Sequence, residues 1–215
     1  MKSKIMKTEK SNSVMKSEFS INQSMEARLE RFSRQGRPLH KDQKRFLQIA
    51  AITGIFCAIW FLIGKHTLHF TPESWDTYPD RLAFLMQVMV FVTLPLLMGI
   101  TSIAFQRLDP RNVIGQKLRT DTPADINKRF LANTIEQTLL FFFVHSAIVY
   151  YSPADEAIST ILLASLFIVG RLIFWIGYHK DKFTRALGFG ITFYPIVGAY
   201  MWVMIRIIFD YHIPL

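Results

Sequence analysis

Residues 128–151 read KRFLANTIEQTLLFFFVHSAIVYY, a run that is apolar for most of its length yet carries Arg129, Asn133 and Glu136. The spacing i, i+4, i+7 places all three on one face of a helix. A later apolar run carries Arg171 and Tyr178, with Arg185 seven residues further on. Ionisable groups at membrane depth are costly and rare, and they mark a functional site or a buried ion pair. The function of this chain is to be sought among these six residues.

That the runs are membrane spans follows from how the charges are distributed. Of 215 residues, 51% are hydrophobic while 19% are charged, a combination that fits one chain only when the charges are segregated. Five windows read as transmembrane helices: 46–64, 82–105, 128–151, 157–179 and 183–209. Each has about the 20 residues needed to cross a hydrocarbon core of roughly 30 Å. Pro95 and Pro195 fall inside two of them, where membrane helices tolerate kinks. The expected fold is an all-α integral membrane protein in contact with the lipid bilayer.

Lys and Arg set the orientation. Residues 1–45, the 106–129 loop and the turn after 179 together hold 21 of the 25 basic residues. The alternate loops carry Glu73, Asp76, Asp80, Asp155 and Glu156, with Lys65, Arg81 and Arg206 at span ends. The positive-inside rule then puts the N-terminus in the cytosol and, after five spans, the C-terminus in the lumen. The net charge of +9 reads as topology rather than as nucleic-acid binding, and no nucleic-acid partner is expected. Cys57 is the single cysteine, so no intrachain disulfide forms, and its apolar helix suggests a buried thiol. No metal site is expected. The first apolar run follows a long polar segment and reads as a signal anchor, not a cleaved peptide. The Asn22-Gln23-Ser24 sequon lies on the cytosolic side and should stay unmodified.

The domain plan is a basic tail over 1–45, an extra transmembrane helix over 46–64 and a four-helix domain over 82–209. The tail is rich in Ser, Lys and Glu and reads as disordered. Met25, Leu29 and Phe32 recur at helical spacing over 24–35, against the simpler reading of a tail that never docks. Trp75, Tyr78 and Pro79 suit an interfacial cap over 65–81, and Thr122 to Asp125 suits a cap on the third span. The last three spans are joined by very short turns and must form a tight antiparallel set.

Depth sorts the polar residues. Glu136 lies nine residues after Asn127, about 13 Å along the helix, and Arg171 lies eight before His179, about 12 Å. A Glu136–Arg171 ion pair at one level of neighbouring helices is the economical expectation, since either charge alone would be destabilising there. Arg129, Asn133, Tyr178 and Arg185 step from that level to the cytosolic surface. Two cations, an amide, a carboxylate and a phenol suit a small anionic ligand with an amino group. Arg129, Tyr178 and Arg185 equally suit interfacial anchors whose heads snorkel to water. His145, alone among Phe and Val, reads as a satisfied core group.

Arg129-Phe-Leu-Ala-Asn133-Thr-Ile-Glu136 resembles the Arg-x3-Asn-x2-Glu signature of the MAPEG superfamily, the membrane-associated proteins of eicosanoid and glutathione metabolism. Arg171-Leu-Ile-Phe-Trp-Ile-Gly-Tyr178 with Arg185 resembles the second half of that signature. The resemblance covers 82–209 and implies a four-helix protomer, a homotrimer and glutathione held between subunits near the cytosolic face. It assigns Arg129, Asn133, Glu136, Tyr178 and Arg185 to glutathione, with Arg185 as the catalytic residue stabilising the thiolate. Arg171 becomes the internal partner of Glu136.

Leu131, Ala132, Gln137 and Phe174 stand where catalytic members can carry polar or basic groups, so ligand contacts are missing. The extra span and basic tail are similar to the five-span, mattrin-like branch of the superfamily (its transmembrane-protein-79-like members). That likeness implies an endomembrane protein of the endoplasmic reticulum, Golgi or lysosome, working in trafficking or detoxification, with the tail as binding element for a cytosolic protein. The alternative is an active glutathione transferase or peroxidase acting on lipophilic electrophiles. An ion or solute pathway is disfavoured, because the polar residues cluster towards one side.

Overall fold

Where no water reaches the backbone, its amides and carbonyls must be satisfied within the segment, so apolar sequence of this length becomes helix. The computed structural model describes residues 41–106 and 123–209, and these form six α-helices. They are α1 (Lys41–Thr67), α2 (Tyr78–Val92), α3 (Leu94–Gln106), α4 (Pro123–Tyr151), α5 (Ala157–Lys180) and α6 (Lys182–Phe209). A 3-10 turn, Ala154–Glu156, leads into α5. The chain divides into two units, Met1–Lys44 and Arg45–Leu215, and the second holds the bundle. The expected helix over 24–35, the Asn22 sequon and the Thr122 cap lie outside the described residues, as does the expected disordered tail up to residue 40.

Among the described residues, four helices are long and apolar enough to cross a membrane: Lys41–Thr67, Tyr78–Gln106, Ala154–Lys180 and Lys182–Phe209. The second combines α2 and α3, which break at Thr93 two residues before Pro95, a residue with no N–H to give the helix ladder. Pro195, by contrast, sits inside an uninterrupted α6. The fifth expected span is α4, 29 residues long but diluted by Glu136, Gln137 and His145, so composition alone does not select it. Its place in the bundle comes from packing against α2, α3, α5 and α6.

The core is centred on α5. Of its apolar window 61% is buried, against 11% for α1, so α5 is the post and α1 an outer stave. Val92, Phe141, Ala164, Phe167 and Ile196 bring α2, α4, α5 and α6 to one cluster. Trp75 is not simply interfacial. It is buried with Leu85, Val149 and Ala157, and its indole donates to the Ser152 carbonyl at 2.9 Å. Helix α2 then starts on a capping box formed by Thr77 and Asp80.

The closest contact is between α5 and α6. A Cβ on Gly177 would collide with the backbone of Arg185, and one on Gly188 with the backbone of Phe174. Small residues let two membrane helices approach at backbone distance, and here they fix the hairpin that carries Tyr178 and Arg185. Helix α1 attaches more loosely. Cys57 is buried, as its apolar setting suggested, and its thiol donates to the Ile191 carbonyl at 3.8 Å. Trp60 donates to Ser165 at 3.1 Å.

Candidate functional site

The anomaly of the sequence becomes a connected structure at Arg171, which is fully buried. Its Nη1 donates to Asn133 Oδ1 at 2.8 Å, and its Nε and Nη2 donate to Thr192 Oγ1 at 3.1 and 2.6 Å. Thr192 passes its own hydrogen to the Gly188 carbonyl at 2.8 Å. The guanidinium also lies 4.4 Å from the centre of the Phe174 ring. Two neutral oxygens and an aromatic face therefore hold the cation.

The expected Glu136–Arg171 ion pair does not form within the protomer. Among the described residues no carboxylate pairs with Arg171, and Glu136 is exposed on the outer surface of α4. Helical rotation of about 100° per residue explains this. Glu136 is turned about 60° from Asn133, away from the buried Phe130, Thr134 and Gln137. Arg129 and Glu136 are only about 20° apart and share the outward face, whereas Asn133 sits at its inner edge. The i, i+4, i+7 set thus divides into one inward and two outward members. Arg129 pairs with Asp125 at 2.7 Å one turn earlier, and its side chain is half exposed.

Tyr178 and Arg185 do come together. The Arg185 guanidinium lies 5.0 Å from the Tyr178 ring centre, and Tyr178 meets Phe174 edge-on at 5.0 Å. Phe174 is therefore the middle rung of a ladder running Arg171, Phe174, Tyr178, Arg185, the position where the sequence comparison suggested a lost polar contact. Gln137 is buried and its carbonyl oxygen has no partner, so it too faces inward. His145 is half satisfied: Nδ1 meets the Phe141 carbonyl at 2.8 Å, while Nε2 has no partner.

Three contributors escaped the sequence reading. Thr192 falls seven residues after Arg185 in an apolar helix, a spacing that would have put it on the same face. Asn127 accepts from the Trp175 indole at 2.9 Å and donates to Ser102 at 2.7 Å, tying α3, α4 and α5 together below the site. Asp181 caps α6. It accepts from the amides of Phe183 and Thr184 at 2.8 and 3.0 Å and from the Thr184 hydroxyl at 2.6 Å. Those bonds, that from the Thr184 hydroxyl first, hold its carboxyl below the usual aspartate range. The cap fixes the helical turn from which Arg185 projects.

The arrangement of helices agrees with what the chain resembles elsewhere. Residues 82–207 match the model of the MAPEG family. The chain is 26% identical over 164 residues to Transmembrane protein 79 of Mus musculus, covering 72% of this chain and 40% of that protein. It is 28% identical over 140 residues to Transmembrane protein 79 of Bos taurus, covering 63% and 34%. It therefore spans less than half the length of these curated relatives. No solved structure matches. The family match takes in more than half of the chain, from Leu82 in α2 to Ile207 in α6 with every site residue named above, and the chain belongs to the MAPEG family.

Proposed function

We propose that this protein binds glutathione on the face formed by Arg129, Asn133, Glu136, Tyr178 and Arg185, between copies of a homotrimer. One observation carries the reading. Glu136 is exposed beside Ile135, Leu139, Leu140 and Phe143, which would face hydrocarbon in a lone protomer. A carboxylate there is costly in lipid, so a second protein surface or a polar ligand has to cover it. The residues fit the tripeptide. Arg185, and Arg129 beside its Asp125 partner, are exposed cations suited to its carboxylates and thiolate, and Glu136 suits its ammonium. Asn133 spends its carbonyl on Arg171 and keeps its amide hydrogens for a ligand. Bound glutathione would supply a nucleophilic thiol, whose deprotonated form Arg185 favours.

By the positive-inside rule, Arg45, Lys128, Arg129, Lys180, Lys182 and Arg185 support a cytosolic face at this end, with the N-terminus on the same side and the C-terminus in the lumen. In this reading the tail over 1–45 recruits a cytosolic protein, 46–64 is the added span, and 82–209 is the glutathione-associated domain. The protein acts in endomembrane trafficking or detoxification. Leu131, Ala132, Phe174 and Gln137 add no polar group to the outer face, which favours binding over turnover. The alternative, a transferase or peroxidase for lipophilic electrophiles, rests on Arg185 and its Tyr178 support.

The test is equilibrium binding of glutathione to the full chain in detergent, with Arg185→Ala beside it. Saturation at millimolar glutathione, weakened by Arg185→Ala together with loss of the thiolate absorbance, is the expected result. Absence of saturable binding overturns the proposal. Binding that ignores Arg185→Ala removes the thiolate role.

A further inference from the structure

The first turn of α6 presents Arg185 on one side and Phe183 on the other. At about 100° per residue, the two side chains project about 200° apart. Arg185 faces Tyr178 of α5, its guanidinium 5.0 Å from the ring centre. Phe183 faces α1, where the Phe46 ring lies 5.1 Å away and the Arg45 guanidinium sits 4.4 Å from the Phe183 ring centre. The Lys182 ammonium rests on the same ring at 5.1 Å. The glutathione reading gives Arg45, Phe46 and Phe183 no part in the site.

The same two-sided hold continues along α6. A Cβ on Gly188 would strike the backbone of Phe174 in α5. A Cβ on Gly190, again about 200° further round, would lie 3.0 Å from the Thr53 methyl of α1. Phe183 and Gly190 are seven residues apart and so share one face, within about 20° of alignment. Cys57 of α1 reaches that face too, its thiol donating to the Ile191 carbonyl at 3.8 Å. Helix α6 is therefore held by α5 on the side of Arg185 and by α1 on the side of Phe183.

At the turn between α5 and α6 the two sides meet in one residue. The Phe183 amide donates to the Asp181 cap at 2.8 Å while the Phe183 ring packs on α1. The Arg185 amide donates to the Asp181 carbonyl at 3.2 Å, so the same turn carries the site residue. A cation over an aromatic face is drawn to the ring quadrupole, and an aromatic pair adds to that attraction, so the hold on Phe183 depends on its ring. We propose that Arg45 and Phe46 are positioning residues for Arg185: by gripping Phe183 from behind, α1 fixes the turn from which Arg185 projects towards its ligand. The grip stands on these contacts alone, while its effect on a ligand rests on the glutathione reading.

The experiment uses the full chain in detergent and reads amide exchange without glutathione, then glutathione affinity. Phe183→Leu keeps an apolar side chain but removes the aromatic face, which Phe183→Tyr retains. Exchange at Phe183, Thr184 and Arg185 should rise about tenfold in Phe183→Leu and in Arg45→Ala with Phe46→Ala, the loss of one cation–ring and one ring–ring contact. Glutathione affinity should fall about threefold in both, as fewer copies hold Arg185 in the competent position. Phe183→Tyr should match the unsubstituted protein in both readouts. Lys65→Gln breaks the pair with Glu156 at the far end of α1 and should change neither. Unaltered exchange in Phe183→Leu and in the double variant overturns the proposal. An equal effect of Lys65→Gln overturns it as well, since α1 would then be a general support. If the unsubstituted protein binds glutathione and every variant binds it equally, the positioning role fails while the glutathione reading stands. If it binds none while Phe183→Leu still speeds exchange, the glutathione reading fails and the grip stands.

Discussion

Arg171 of α5 donates to Asn133 of α4 at 2.8 Å, so the one fully buried cation among the described residues is held by an amide rather than by a carboxylate. The same amide belongs to the signature that faces the proposed ligand. Burial, hydrogen bonding and site geometry therefore meet in one side chain: Arg171 fixes which way Asn133 presents its amide hydrogens.

Asn133→Ala should destabilise the protein by about 1–3 kcal/mol, because it removes an acceptor from a buried guanidinium. Asn133→Asp should do the opposite of a disruptive change, since a carboxylate at 2.8 Å forms a charge-assisted bond and supplies the missing counter-charge. Thermal melts in detergent read both. A lower melting temperature for Asn133→Asp than for Asn133→Ala would show that the neutral amide is required for stability.

Glu136 gives the oligomer a distinct signature. If copies cover this carboxylate, native mass measurement should find an assembly of three 25.0 kDa chains. Glu136→Lys should reduce it to smaller species by placing a cation among Ile135, Leu139 and Phe143. The protomer should keep its helical content, because Glu136 takes no part in the internal packing. A lone protomer in the unsubstituted protein would contradict the trimer.

Much of this was legible in the sequence, and the parts that were not have definable causes. Length and hydropathy locate four of the five expected spans, because the bilayer imposes both, whereas α4 takes its place through packing. The pairing of Arg171 was not legible, since depth along two helices says nothing about their rotation. Glu136 and Asn133 lie only about 4.5 Å apart along the helix but differ by about 60° in direction, which decides between them. Thr192 was missed because a threonine in an apolar helix ordinarily bonds its own backbone, as Thr134 does to Phe130 at 2.7 Å. Gly54 and Gly198 look no different in sequence from Gly177 and Gly188, yet a Cβ on either of the first two would meet nothing within 4 Å. Only the neighbours separate an open glycine from a crowded one.

That separation predicts opposite outcomes for similar changes. Gly188→Val should cost about 1–3 kcal/mol or more, since overpacking must push α6 off Phe174. Gly198→Ala should be neutral or stabilising by up to about 1 kcal/mol, through lost backbone entropy of the unfolded chain. Comparing the two melting temperatures checks the α5–α6 contact directly. Equal loss in both would contradict it.

Asp181 supplies the pH dependence. Its carboxyl is fully exposed yet held below the usual aspartate range, first by the Thr184 hydroxyl and then by the amides of Thr184 and Phe183. A depressed carboxylate stabilises the folded state above the unfolded value of about 3.9, and that contribution is lost as pH falls through the lower folded value. Asp181→Asn keeps an acceptor but cannot titrate. The unsubstituted protein should therefore lose more thermal stability than Asp181→Asn between pH 7 and about pH 3. Asp181→Ala should accelerate amide exchange at Phe183, Thr184 and Arg185 at neutral pH, because the first turn of α6 loses its cap. Since Arg185 projects from that turn, glutathione binding should weaken in Asp181→Ala while the Arg171–Asn133 contact, two turns deeper, stays intact. Unchanged exchange at those three amides would show that the hairpin glycines alone hold Arg185 in place.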